Sequence, residues 1–211
     1  MNDHDFAALL CSRLCHDLMS PVGALNNGLE LLEDEKDPAM REQIVELLGD
    51  SAGATAAKLK FFRLAFGAAG GFGAEIDTGE ARTVLEGLLG QEKKVELEWM
   101  VEEPRLPKDA VKLLLNLALI AGDALVRGGK LDVGAEKRGD LIEVVIRAEG
   151  PRLIMDKALR AILESGQAPE DPEPRTAGAL LSLKLAESLG GGIQFSSPAE
   201  TVMMIGASLN A

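Results

Sequence analysis

Apolar residues recur at helical spacing twice in the first third of the chain. Leu10, Leu14, Leu18, Leu25, Leu29 and Leu32 fall within an arc of about 100° on a wheel turned by 100° per residue, with Val22 near its edge. His16 lies about 170° from the middle of that arc. Ser12, Ser20, Gly23 and Asn27 share its outer lane at spacings of three or four residues, and Met19 flanks it. Small or polar side chains therefore surround one imidazole, and a bulky partner can approach it closely. The polar run at residues 34–38 breaks the period and ends in a helix-start proline, Pro38. Ile44, Leu47, Leu48, Ala52, Ala56, Leu59, Phe62 and Phe66 then restore it. The pattern predicts an antiparallel helical hairpin. Two helices bury little by themselves, and a second copy would complete a four-helix bundle, so a homodimer is expected.

The pattern changes after Phe66. Glycine-rich residues 67–79 show no sustained period and mark a boundary. Beyond it, residues 80–91 read as a helix, Val95, Leu97, Trp99 and Val101 alternate as a strand, and 108–126 form a long apolar helix. Strands at 130–135 and 141–147 make a hairpin turned by residues 137–140. Helices at 155–164 and 177–189 flank a proline-rich loop at 167–175, and strands at 193–196 and 202–208 close the order. The expected fold class is α+β: a helical hairpin followed by a sandwich of one sheet with helices on one face. The expected division is hairpin 1–70, linker 71–79 and sandwich 80–211.

Composition narrows the function. The 211 residues include 34 acidic and 22 basic groups, a net charge of −12, which repels nucleic-acid phosphates and anionic membranes. Neither nucleic acid nor membrane is an expected partner. No apolar run reaches the length of a membrane span, and Asp3 and Asp5 open a helical pattern where an export leader would carry positive charge, so a cytoplasmic location is expected. Cys11 and Cys15 stand one turn apart on one helix, poorly placed for a strain-free disulfide, and read as reduced packing residues. With His16 they lack a fourth metal ligand, since His4 sits near the terminus; no metal site is expected.

The run His16-Asp17-Leu18-x-Ser20-Pro21, on the first arm of a helical hairpin, resembles the dimerisation and phosphotransfer domain of bacterial histidine kinases. The region after it resembles their ATP-binding domain. More closely, Leu10-Cys11-Ser12-Arg13-Leu14-Cys15-His16-Asp17, continuing through Ser20-Pro21-Val22-Gly23-Ala24 to Asn26-Asn27-Gly28-Leu29-Glu30-Leu31-Leu32, is similar to the ChpT-type histidine phosphotransferases of alphaproteobacteria. The resemblance spans essentially the whole chain, but its second half has lost motifs. In the kinase N-box the second asparagine binds magnesium; here Asn116 is followed four residues on by Ile120, which offers no oxygen to a hard cation. The adenine-recognising Asp-x-Gly falls on Ala148-Glu149-Gly150. The glycine-rich phosphate loop falls on 175–179, where Gly178 alone survives.

The resemblance implies phosphoryl relay without ATP. His16 is the expected nucleophile, through Nε2, and Asp17 the group that holds a proton on Nδ1 and offsets the charge formed as the N–P bond is made. Arg13, one turn before Asp17, is either an ordinary helix ion-pair partner or an aid to phosphate neutralisation. Ser12, Arg13, Met19, Ser20, Gly23 and Asn27 are the expected partner contacts. The implied partners are the receiver domain of a hybrid histidine kinase and response regulators, whose own acidic pockets supply Mg²⁺, so no cofactor of this chain is expected. The resemblance also implies a part in cell-cycle regulation. Two other readings stay open: a divergent ATP-dependent histidine kinase, which nucleotide binding would reveal, and a non-catalytic receiver-binding adaptor, for which His16 would be dispensable.

Overall fold

The first apolar period is realised as one helix, α1 (Asp3–Asp34), and the second as α2 (Pro38–Ala65). The structure, a computed structural model, describes residues 1–67, 74–89, 94–199 and 201–210. Each end of the hairpin turn is chemically closed. The Asp37 carboxylate accepts the Ala39 N–H, with Pro38 opening α2, while Arg41 Nη1 donates to the carbonyls of Leu32 (2.8 Å) and Glu35 (2.7 Å). Those carbonyls would otherwise be unsatisfied at the end of α1. The arms approach closely at Gly28, where an added Cβ would stand 2.8 Å from Leu48 Cδ2.

The second half contains β1 (Glu75–Asp77), α3 (Thr78–Leu89), β2 (Val95–Val101), β3 (Arg105–Pro107), α4 (Lys108–Ala124), β4 (Gly129–Arg138) and β5 (Leu141–Glu149). It continues with α5 (Lys157–Ser165), a short 3-10 turn (Pro174–Thr176), α6 (Ala177–Ser188), β6 (Gly192–Ala199) and β7 (Val202–Asn210). Five strands form one sheet in the order β2-β4-β5-β7-β6, with β2 parallel to β4 and the other pairs antiparallel. One cross-strand row, Trp99, Val133, Ile146, Ile205 and Phe195, shows how strand alternation builds the layer: these residues pair in register and pack into the core. The opposite sheet face carries charged pairs, with Met100, Val145 and Met204 exposed among them. There Lys130 pairs with Glu98, and Arg147 bridges Asp132 and Glu149 at 3.0 and 2.6 Å; the hydrogen bond that Lys130 donates to the Glu98 carboxylate raises its amine above the ordinary value.

Helix α4 is apolar nearly all round because it is covered on every side. Leu113, Leu114, Leu115, Leu117 and Ala118 are all buried, between the sheet, α6 and the base of the hairpin. The hairpin contributes Leu9, Phe61, Phe62, Leu64 and Ala65 to that same hydrophobic cluster. Phe61 and Phe62 meet edge to face, ring centres 5.8 Å apart. Hairpin and sandwich thus share one continuous core.

The α+β class, the hairpin and every long element expected from the pattern are present. Of the linker read at 71–79, residues 71–73 lie outside the described residues, as do 90–91 of the helix read at 80–91 and 68–70 at the end of the hairpin segment. Residues 75–77 of that linker form β1, pairing with β3 through Ile76 opposite Leu106, two strands absent from the sequence reading. Each has a single buried residue, so no alternation announces it. The turn from α6 to β6 needs glycine: Gly190 has φ +63°, and a side chain at Gly191 would run into the Ser208 carbonyl.

Candidate phosphotransfer site

His16 projects from the middle of α1 with its side chain 81% exposed. Asp17, the next residue, turns toward the protein and is 18% exposed, yet its Oδ1 lies 3.2 Å from His16 Nδ1. A carboxylate only accepts hydrogen bonds, so this contact favours the tautomer protonated at Nδ1 and leaves the Nε2 lone pair facing outward. The other carboxylate oxygen, Oδ2, receives Arg13 Nε at 2.6 Å. Arg13 is itself 17% exposed and reaches the second half of the chain: Nη1 donates to the Arg175 carbonyl at 3.1 Å, and Nη2 stands 3.8 Å from Asp123 Oδ2 at the end of α4. Arg175 in turn pairs with Asp156 at 2.9 Å and Glu173 at 2.7 Å, so the end of the proline-rich loop is fastened beneath the histidine helix.

Pro21 adds a second tie. A proline inside a helix has no N–H for the carbonyl four residues back, which here belongs to Asp17. Lys58 of α2 supplies the missing donor, its Nζ lying 3.3 Å from the Asp17 oxygen. Arg13, Asp17, Lys58 and Asp123 line a cleft of about 160 Å³ between the hairpin and α3–α4, floored by Phe62 and Leu119.

The expected outer lane is laid out as follows. Ser12, Met19, Ser20 and Asn27 are exposed, and an added Cβ at Gly23 would meet nothing within 4 Å. Arg13 departs from the lane, since it points inward. The linkage through Arg13 and Lys58 was not visible in the sequence, although Pro21 four residues after Asp17 signalled an unpartnered carbonyl. Cys11 and Cys15 are exposed rather than packed, a correction to the reading of them as packing residues. With Leu10, Leu14, Leu59 and Phe66 they line an apolar groove of about 510 Å³ on the hairpin.

At the positions that resemble a nucleotide site, Ile120 and Ala148 are buried apolar side chains. Asn116 is fully buried, and its amide donates to the carbonyls of Ala65 (3.3 Å) and Lys112 (2.8 Å), so it stitches α4 to the end of the hairpin. Gly178 sits against it, an added Cβ lying 3.0 Å from Asn116 Oδ1.

A two-helix arm bearing an exposed histidine, seated on an α+β body, defines a class of phosphotransfer proteins, and comparison with known proteins gives the family. The pattern of the histidine phosphotransferase C-terminal domain matches residues 78–201. The protein phosphotransferase ChpT of Brucella abortus (strain 2308) is 43% identical over 201 residues, covering 94% of this chain and 93% of that one. A solved bacterial phosphotransferase, 40% identical, superposes with a TM-score of 0.86 over 98% of this chain and 97% of its own. Full-length ShkA, solved in complex with AMPPNP, shares the fold at 21% identity and a TM-score of 0.50, over all of this chain and 47% of its own. The chain belongs to the histidine phosphotransferase family. Its activity is phosphotransfer within a two-component phosphorelay, and receiver-bearing response regulators are its class of partner.

Proposed function

We propose that His16 carries the phosphoryl group between receiver aspartates and that ATP takes no part. Nε2 of His16 attacks the phosphorus of a receiver's aspartyl phosphate. The N–P bond forms as the acyl P–O bond breaks, and the receiver aspartate leaves as a carboxylate with the bonding electron pair. The proton stays on Nδ1, where Asp17 offsets the imidazolium charge. Attack by a second receiver's aspartate on phosphohistidine reverses these steps and restores neutral His16. Mg²⁺ in the receiver pocket neutralises the moving phosphoryl group, so this chain supplies nucleophile and alignment only.

The observation that carries the reading is the pairing of an imidazole open at Nε2 with a carboxylate held at Nδ1. Donor and acceptor are, on this reading, the receiver of a hybrid histidine kinase and the receiver of a response regulator, docking over Ser12, Met19, Ser20, Gly23 and Asn27. The chain works in the cytoplasm; none of its described helices is long and apolar enough to cross a membrane. It works as a homodimer through the hairpin. Val22, Leu29, Leu47 and Leu59 are 40%, 54%, 48% and 47% exposed, and with the apolar groove beside them they form a face that soluble monomers seldom leave open.

The test is to incubate wild-type and His16→Ala protein with a radiolabelled phospho-receiver, and separately with labelled ATP and Mg²⁺. Label should pass from the receiver to the wild type only, and from ATP to neither. Labelling of His16→Ala by the receiver overturns the assignment; labelling of wild type by ATP restores the kinase reading.

A further inference from the structure

An isolated Arg–Asp pair at i, i+4 on a helix contributes little, and the order found here, cation first, is the weaker one. Such a pair alone would leave Asp17 free to swing away from His16. Three features distinguish Arg13. Both side chains are more than four-fifths shielded. All three guanidinium nitrogens have partners: Asp17 Oδ2, the Arg175 carbonyl and Asp123 Oδ2. Two of those partners lie on the α+β body rather than on α1.

From this geometry we infer that Arg13 is a positioning residue for phosphotransfer, which uses its anchorage on the α+β body to hold Asp17 against Nδ1 of His16. The inference rests on the proposed role of His16 and adds a function for the second half of the chain. The body acts as a buttress whose Arg175 carbonyl and Asp123 carboxylate set the aim of the carboxylate. A planar fork of donors can satisfy three acceptors in different directions; a lysine ammonium on a flexible stem cannot hold the same plane. Release of the clamp lets Asp17 turn to solvent. The imidazole then exchanges its tautomers freely, and its lone pair stands part of the time on Nδ1 rather than on the outward-facing Nε2.

Two readouts test this on the full chain: transfer rate from a labelled phospho-receiver, and the ring ¹⁵N shifts of His16, which report which nitrogen carries the proton without any partner present. Arg13→Met should slow transfer by ten- to a hundredfold, on the order of the loss that a misplacement near 1 Å brings, and should shift the tautomer population away from Nδ1–H. Arg13→Lys should fall between the two, and serves if the methionine variant does not fold. In an Asp17→Asn background the same Arg13→Met change should alter the rate by less than about twofold, because Arg13 acts through that carboxylate. An unchanged tautomer population and rate in Arg13→Met or Arg13→Lys overturns the inference, as does an equal loss in both backgrounds. Failure of the underlying reading is separate: His16→Ala would then still accept label, whatever Arg13 does.

Discussion

Replacing Phe61 by alanine tests whether hairpin and body fold as one unit. Phe61 is fully buried, packs edge to face on Phe62, and lies in the cluster that includes Leu64 of the hairpin and Leu113 and Leu117 of α4. Truncating a buried phenylalanine costs about 3–5 kcal/mol through lost transfer energy and the cavity left behind. At about 2–4 °C per kcal/mol for a chain of this size, the midpoint should fall by roughly 6–20 °C. The single tryptophan, Trp99, reports on β2 of the sheet, while far-UV circular dichroism is dominated by helices, the two longest of which form the hairpin. With protein concentration held fixed, both signals should shift together and remain one transition. If helical signal were lost at lower temperature while the Trp99 transition stayed at its wild-type midpoint, the shared core would be refuted, and with it the buttressing of His16 by the body.

Three further outcomes follow from the surfaces around the site. Ser20→Arg and Gly23→Trp should block transfer from a phospho-receiver by about a hundredfold or more while thermal melts change little, because neither side chain enters the core; transfer at the wild-type rate would place receiver docking elsewhere. Light scattering should give about twice 22.3 kDa for the wild type and about 22.3 kDa for the Leu29→Glu, Leu47→Glu double variant, whose changed positions are exposed in a single copy and so spare its fold; an unaltered mass would remove this face from the dimer. Calorimetry with Mg-ATP should show no binding, since Ile120 and Ala148 are buried apolar groups where a nucleotide site needs oxygen ligands; a micromolar dissociation constant would contradict it.

Periodicity was enough to reveal the helices and the sheet because each long element carries many apolar positions on one face. It failed for β1 and β3, where Ile76 and Leu106 are the sole buried residues of three-residue strands. It also undercounted the base of α2. Phe62 and Phe66 lie on the expected stripe, but Phe61 and Leu64 lie off it and are buried all the same, because the α+β body covers the far side of the helix there. No local pattern shows that. The site divides the same way. His16 and Asp17 stand in a recognisable run of residues, and their exposure contrast follows from position on the helix. Arg13 reads locally as a helix ion pair; its meaning lies in distant partners, the Arg175 carbonyl 162 residues away and the Asp123 carboxylate, which only folding brings together. Lys58 is similar, its donation to Asp17 being the tertiary answer to a gap that Pro21 opens in α1.

The measurement that bears most directly on the central claim is the chemical identity of the phosphorylated intermediate. The ¹⁵N-histidine-labelled chain is loaded from a phospho-receiver, and its ³¹P and ¹⁵N spectra are recorded before and after a second receiver is added. One acid-labile phosphoryl group bonded to Nε2 of His16, with the proton on Nδ1 and loss of the signal on adding the second receiver, is the expected result. Phosphate bonded to Nδ1, to His4 or to an acidic side chain, or a phosphohistidine that no receiver discharges, would contradict the account.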